Sequence, residues 1–185
     1  MNKQISANMI VAILLVLTAA VSRVVMYPHN FSPIIGMALF SGSVLANRKL
    51  AFAMPILAMF MSDILFELFH IAPGFWGWGQ LVGYGILALI TVFAFNLKKI
   101  SVPNLAVFSV SSSLNFYVLS NLSFFLIDNP VYHTYPQDGN GLVQCYVAAL
   151  PFLKTSLIAD LVYTGVLFGA YQLYRSVAAG RQLAS

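Results

Sequence analysis

The sequence predicts an all-α integral membrane protein, with six transmembrane helices in a single domain over residues 1–185. Two features of composition predict the membrane class, since 60% of the residues are hydrophobic and only 8% are charged. A soluble domain carries about 25% charged residues, so a surface this poor in charge faces lipid. The third observation is the order of the chain, in which six apolar runs are separated by polar segments.

These runs define the predicted helices in order along the chain. They lie near residues 8–26, 33–48, 50–69, 77–97, 103–127 and 146–174. The first run has the basic start and small-residue end of a signal peptide, but we expect it to be retained as a span. The second gives roughly 24 Å of helix, short of the ~30 Å hydrocarbon core. We therefore expect the second helix to be shallow or packed inside the bundle.

The basic residues predict which side of the membrane each loop occupies. Seven of the nine lie at the termini or in the even-numbered loops: Lys3, Arg48, Lys49, Lys98, Lys99, Arg175 and Arg181. An excess of Lys and Arg marks the cytoplasmic side, so both termini are expected in the cytoplasm. The net charge of +4 does not indicate a nucleic-acid partner, because the basic residues are scattered and flank apolar runs.

The first external loop, "YPHNFSPI" at residues 27–34, begins the second helix. Ser32 is expected to cap this helix and Pro33 to occupy its first position. The helix N-terminus then points outward with unpaired backbone N–H groups. His29 and Asn30 are not needed for such a turn, so both are candidate binding residues. The alternative is that they hydrogen-bond within their own loop.

Ionisable residues gather near the outer ends of the predicted helices. Asp63, Glu67 and His70 are spaced by four and three residues, which predicts one stripe on the third helix. Such residues inside a span face the bundle interior or a cavity, because exposure to lipid is costly. Glu67 and His70, nearest the mouth, are candidate ligand contacts. The predicted structural ion pairs comprise Arg23, Asp63, Lys154 and Asp160.

Other polar and aromatic residues extend this candidate site. The second external loop, "PGFWGWGQ", supplies Trp76, Trp78 and Gln80, as walls of a site or as interfacial anchors. Tyr117 lies on a polar stripe of the fifth helix, which is also compatible with bonds between helices. The irregular external stretch Asp128 to Gln144 carries Tyr132 and His133 and is expected to form a lid.

No enzyme signature is present in the sequence: it has no HExxH, no GxSxG and no phosphate-binding glycine loop. Two classes remain as alternatives to a binding protein. One is an intramembrane enzyme that uses Asp63, Glu67 and His70 as acid, base or metal ligands. The other is a non-transporting scaffold that binds another membrane protein through small-residue stripes. These stripes are Ala38, Gly42 and Ala46, and the pair Gly165 and Gly169.

Three stretches of the chain resemble a known bacterial family. They are "HNFSPIIGMALFSG", "AFAMPILAMFMSD" and "CYVAALPFLKTSLIADLVYTGVLFG". They are similar to the S components of energy-coupling-factor (ECF) vitamin transporters, nearest to the solitary BtuM-type cobalamin S components. The resemblance implies a six-helix bundle in the bacterial plasma membrane. It also implies an extracytoplasmic vitamin site. The usual partner in the family is an energising module of a transmembrane T component and ATPases, whereas solitary members work without a dedicated partner set.

The sequence departs from this family at two places. BtuM-type proteins ligate cobalt through a cysteine near the third helix, but the only cysteine here is Cys145. If the ligand is cobalamin or a related corrinoid, His29 is the leading candidate cobalt ligand, because neutral imidazole binds transition metals. Cobalamin would then be a transported ligand, and no intrinsic cofactor is expected. The Ala-xxx-Ala coupling motif of the first helix is also missing, since Ala7 and Ala12 are each followed four residues later by valine.

Overall fold

The computed structural model is all-helical over the residues that it describes, which are 3–25, 30–75 and 77–183. The predicted all-α class is therefore confirmed. The six main helices are α1 (Lys3–Val25), α2 (Ile34–Val44), α3 (Arg48–Leu68), α4 (Trp78–Ala94), α5 (Val102–Ser123) and α6 (Gly139–Leu183). His29 and Trp76, both candidate site residues, lie outside the described residues.

Four helical segments are long and apolar enough to cross a membrane. They are Ala7–Val25, Arg48–Leu68, Val102–Tyr132 and Gly139–Gly180, whereas α2 and α4 are shorter apolar helices. Large aliphatic side chains point outward from these segments, among them Leu14, Val107 and Val166, each more than half exposed. Outward apolar faces on several helices are expected where the surroundings are lipid tails. The described chain thus has the helices of a membrane protein.

The short helix α2 lies inside the bundle, as its length predicts. Eight of its 11 residues are buried, and it packs against α3, α4 and α6. Phe40 of α2 makes edge-to-face contacts with Phe168 and Tyr171 of α6, at centroid distances of 5.2 and 5.5 Å. Such aromatic pairs contribute about 0.5–1.5 kcal/mol beyond the burial of their area. These contacts anchor the middle of α2, which helps to fix the position of its N-terminal end.

The chain between α5 and α6 is more helical than predicted. A π-helical turn, Phe124–Asp128, and one α-helical turn, Asn129–Tyr132, continue α5, and α6 begins at Gly139 instead of near residue 146. The non-helical connector is only residues 133–138. The predicted irregular stretch from 128 to 144, and the long lid built on it, are therefore wrong.

Specific hydrogen bonds hold this connector. The side chain of Asn129 both donates to the Tyr135 carbonyl at 3.0 Å and accepts from the Tyr135 amide at 2.8 Å. Asp138 accepts from the amide of Gly141 at 2.8 Å, three residues later, as a helix-capping side chain does. The connector is a short tied link between two helices.

Candidate ligand site at the start of helix α2

Two adjoining cavities lie where the chain enters α2. The α2 cavity, of about 230 Å³, is lined by Arg23, Asn30, Phe31, Ser32, Ile34, Ile35, Met59, Phe116, Ser156 and Asp160. The α5 cavity, of about 160 Å³, shares four of these residues and reaches Ser113, Tyr117 and Asn121 on α5. Together the two cavities bring residues of α1, α2, α3, α5 and α6 to one end of the bundle.

Asn30 stands at the entrance to both cavities. Its backbone is left-handed, with φ at 61°, a conformation that asparagine tolerates better than most residues. The hydroxyl of Ser156 on α6 donates to the Asn30 carbonyl at 3.4 Å. This contact joins the loop before α2 to α6, and it leaves the Asn30 side chain at the cavity wall.

Ser32 does not cap α2, contrary to the sequence prediction. The N-cap position is occupied by Pro33, whose carbonyl accepts the first intrahelical bond, from Met37 at 2.8 Å. The Ser32 hydroxyl oxygen is instead buried, with no hydrogen-bond partner among the described residues, and it lines the α2 cavity. An unsatisfied buried hydroxyl costs about 1–3 kcal/mol. A polar ligand atom in the cavity would remove that cost.

Asp160 is the buried carboxylate of the α2 cavity. It is 2% exposed, and its Oδ2 accepts a hydrogen bond of 2.6 Å from Ser113. Lys154 and Asp160, both predicted to take part in structural ion pairs, form none among the described residues, and Lys154 is exposed. Six residues separate the two side chains on α6, which puts them on different faces of a helix with 3.6 residues per turn.

Arg23 and Asp63, two of the four residues predicted to take part in structural ion pairs, do form one. The Nη1 atom of Arg23 donates to Asp63 Oδ1 and to the Ser62 hydroxyl. The guanidinium carbon also lies 4.7 Å from the centroid of the Phe66 ring, within the range of a cation–π contact. Asp63 is 1% exposed, and this carboxylate neutralises Arg23 where Arg23 borders the α2 cavity.

The second oxygen of Asp63 is also occupied. Its Oδ2 accepts from Gln80 Nε2 at 2.9 Å and from the Tyr84 hydroxyl at 3.1 Å. Gln80 Nε2 also donates to the Gly74 carbonyl and to the Tyr84 hydroxyl, both at 3.0 Å, so three acceptors share its two amide hydrogens. The Gly74 amide in turn donates to Glu67 Oε2 at 3.0 Å. These bonds close a network across α1, α3, α4 and the loop before α4, so Asp63, Glu67 and Gln80 act as structural residues here.

Sequence reasoning missed Tyr84 and Gly74 in this network. Tyr84 lies four residues after Gln80, so the two share one face of α4, and that spacing was the available signal. Gly74 had no comparable signal. A Cβ atom there would overlap the Asp63 carbonyl oxygen, so only glycine allows the loop to approach α3 this closely.

The remaining predicted site residues lie away from the two cavities, with one exception. His70 follows the end of α3 with φ at 53°, so it does not share the helical stripe of Asp63 and Glu67, contrary to prediction. Trp78, Tyr132 and His133 are exposed, and none of the three lines either cavity. The exception is Tyr117, which borders the α5 cavity and donates to the Tyr146 carbonyl at 2.6 Å.

No group of three His, Cys, Asp or Glu side chains within the described ranges is placed to hold a metal ion. The Asp63 and Glu67 carboxylates are engaged in the network instead, and His70 lies beyond α3. The described structure therefore places Asp63 and Glu67 in a hydrogen-bonded network and His70 off their helical stripe.

Comparison with known proteins identifies the family of the chain. No curated protein and no solved structure matches it. One family does match, over residues 3–182, which is nearly the whole length of the sequence. The chain therefore belongs to DUF6580, a family of unknown function.

Proposed function

We propose that this protein is a substrate-binding membrane subunit for the uptake of a vitamin or a similar small solute, with the α2 cavity as its site. The observation that carries the proposal is that two buried polar groups lining this cavity have unused hydrogen-bonding capacity. Among the described residues, the Ser32 hydroxyl has no hydrogen-bond partner and the Asp160 carboxylate has one, Ser113. Buried polar groups are normally satisfied, so groups left open around one cavity favour a ligand site.

The resemblance to ECF S components supports the membrane setting of this proposal. The chain would cross the bacterial plasma membrane six times, with α2 and α4 completing the set of spans and both termini in the cytoplasm. The α2 cavity would then open outside the cell, because the loop before α2 is external on this topology. A site at that end is where the solute of an uptake protein must enter.

An energising module of a T component and ATPases is the proposed partner. The first helix lacks the coupling motif of the family, and Ala12 and Val16 on α1 are fully buried within the chain. The small-residue pair that remains open is Gly165 and Gly169, where an added Cβ would meet no atom within 4 Å. Small residues allow close approach of a neighbouring helix. We propose that the energising module docks on the face of α6 that carries Gly165 and Gly169. If the protein is instead a non-transporting scaffold, its partner would dock on the same face, and copurification would identify which protein binds.

A corrinoid is the specific solute that the resemblance implies, and His29, next to Asn30 in the sequence, is the proposed cobalt ligand. The α2 cavity of about 230 Å³ lies below the ~300–1,000 Å³ typical of sites for drug-sized ligands. A corrinoid would therefore require the surrounding residues to move apart. The cavity as it stands suits a smaller solute, so the binding experiment needs both kinds of ligand.

Filling the cavity with Ser156→Trp is expected to abolish solute binding, because Ser156 borders both cavities. The matched control is Val166→Trp on the same helix, where the native side chain is 59% exposed. Mass spectrometry of the small molecules that copurify with each protein measures the loss of binding. A second experiment tests whether the solute is a corrinoid: the visible spectrum of added hydroxocobalamin is compared between wild type and His29→Ala. Equal retention of the same solutes by wild type and Ser156→Trp would contradict the proposed site.

Cysteine labelling is expected to establish the topology. In a Cys145→Ser background, a cysteine at Gln137 should react with a membrane-impermeant maleimide from outside intact cells. A cysteine at Lys98 should react only after the membrane is opened. Both positions are exposed, so access depends on the side of the membrane alone. Labelling of position 98 in intact cells would overturn the orientation.

A further inference from the structure

The α2 cavity contains one carboxyl group, that of Asp160, which pairs with no positive side chain among the described residues. The charged side chains that line it are Arg23 and Asp160. Arg23 is neutralised by Asp63, and Lys154 lies exposed on another face of α6. A charge inside a membrane protein is costly unless it is paired, and an unpaired carboxylate gives up its charge by taking a proton. No described residue therefore supplies a positive partner for Asp160.

The hydrogen bonds of Asp160 leave room for that partner. Its Oδ2 accepts from Ser113, while no described residue donates to its Oδ1. The free backbone N–H groups at the start of α2 do not donate to Asp160 either. A carboxylate accepts up to about four hydrogen bonds, so most of its capacity is unused. The unsatisfied hydroxyl of Ser32, in the same cavity, is an independent sign that a polar ligand belongs there.

The rest of the lining indicates what kind of cation fits. Phe31, Met59 and Phe116 give the cavity an apolar wall, which suits the hydrocarbon part of an organic cation rather than a hydrated metal ion. Aromatic faces also attract ammonium groups.

We propose that the solute bound in the α2 cavity is an organic ammonium compound whose charged nitrogen lies against the Asp160 carboxylate. This inference rests on the proposed function of the cavity as a solute site. Asn30 and Ser32 are the groups that would hydrogen-bond the remainder of the solute. Asp160 thus sets the charge of the substrate class, while Ser113 holds the carboxylate in position.

Matched pairs of cationic and neutral compounds test this inference on the purified full-length protein. The probes are choline against 3,3-dimethylbutan-1-ol, and pyridoxamine against pyridoxine, with binding measured by equilibrium dialysis. The wild type is expected to bind each cation at least about tenfold more tightly than its neutral partner, as a buried charge pair allows. Asp160→Asn is expected to remove that preference, whereas Glu67→Gln, which deletes a carboxylate outside the cavity, should retain it.

Carbodiimide labelling gives a second readout that requires no variant to fold. Dicyclohexylcarbodiimide modifies buried carboxyl groups, and peptide mapping reports the modified fraction at Asp160. Choline should lower that fraction, 3,3-dimethylbutan-1-ol should not, and modification at Asp138 should be unaffected by either. Equal binding of both members of each pair, abolished by Ser156→Trp, would overturn the charge assignment and leave the solute site intact. Binding of neither member would overturn the charge assignment, and retention of copurified solutes by Ser156→Trp would overturn the site itself.

Discussion

Replacing Asp63 by alanine is expected to lower the free energy of unfolding by about 3–5 kcal/mol, the range measured when one partner of a buried ion pair is removed. Asp63 is 1% exposed and accepts hydrogen bonds from Arg23, Gln80 and Tyr84. Its loss would leave the mostly buried guanidinium without a counter-charge and the Tyr84 hydroxyl without this acceptor, while Gln80 would keep its bonds to Gly74 and Tyr84. Reversible unfolding in mixed micelles, followed by circular dichroism, measures the difference from wild type.

Two further variants separate the charge effect from a general loss of packing. Glu67→Gln removes an exposed carboxylate that accepts one bond, from the Gly74 amide, and should cost no more than about 1 kcal/mol. Replacing both charges together, with Arg23→Met and Asp63→Leu, should recover most of the stability, because no unpaired charge remains. If Asp63→Ala were no more harmful than Glu67→Gln, the network would not hold the helices together.

The sequence predicts the class of the protein and the presence of a buried ion pair for the same physical reason. Charged residues are so few that each one inside an apolar run needs a buried partner, and Arg23 finds Asp63 on the adjacent α3. The same reasoning fails for Lys154 because its helical phase turns it away from Asp160. Asp160 finds a neutral hydroxyl, Ser113, instead, and charge counting cannot detect a serine.

Helix ends are where local sequence signals were least reliable. Ser32 followed by Pro33 has the pattern of a capped helix start, yet the helix begins one residue later and the serine hydroxyl turns to the cavity. Prolines and glycines before α6 predict an irregular loop. The helix begins inside that stretch, however, because Asp138 caps it and because Gly141 fits against the Pro136 carbonyl, where a Cβ would overlap. The start of α6 is thus decided by contacts within residues 136–141.

The cavity could not be predicted from the sequence because five separate elements build it. Asn30 and Asp160 were each singled out as polar residues in or near apolar runs, but nothing in their spacing places them around one space. The contact between Ser156 and the Asn30 carbonyl joins residues 126 positions apart. The inward position of α2 is the feature that brings them together, since its start lies among α1, α3, α5 and α6.

Because α2 positions the cavity, enlarging the glycine at its other end is expected to damage both stability and binding. A Cβ atom on Gly42 would lie 2.6 Å from the Thr91 carbonyl oxygen and 2.7 Å from the Ala94 Cβ. Both neighbours belong to α4 and are fully buried, so they cannot move aside without displacing that helix. Gly42→Ala should therefore lower the free energy of unfolding by about 1–3 kcal/mol, as overpacking of a core does. The displaced α2 should also weaken binding of the copurifying solute.

Gly169→Ala is the matched control, and its expected effect has the opposite sign. Gly169 lies in the interior of α6, and an added Cβ would meet no atom within 4 Å. Only the intrinsic helix preference of alanine over glycine then acts, which stabilises by up to about 1 kcal/mol. Unfolding of the two variants under the same conditions compares them directly. If Gly42→Ala were as stable as Gly169→Ala, α2 and α4 could not be in contact at Gly42, and the inward position of α2 that forms the cavity would be wrong.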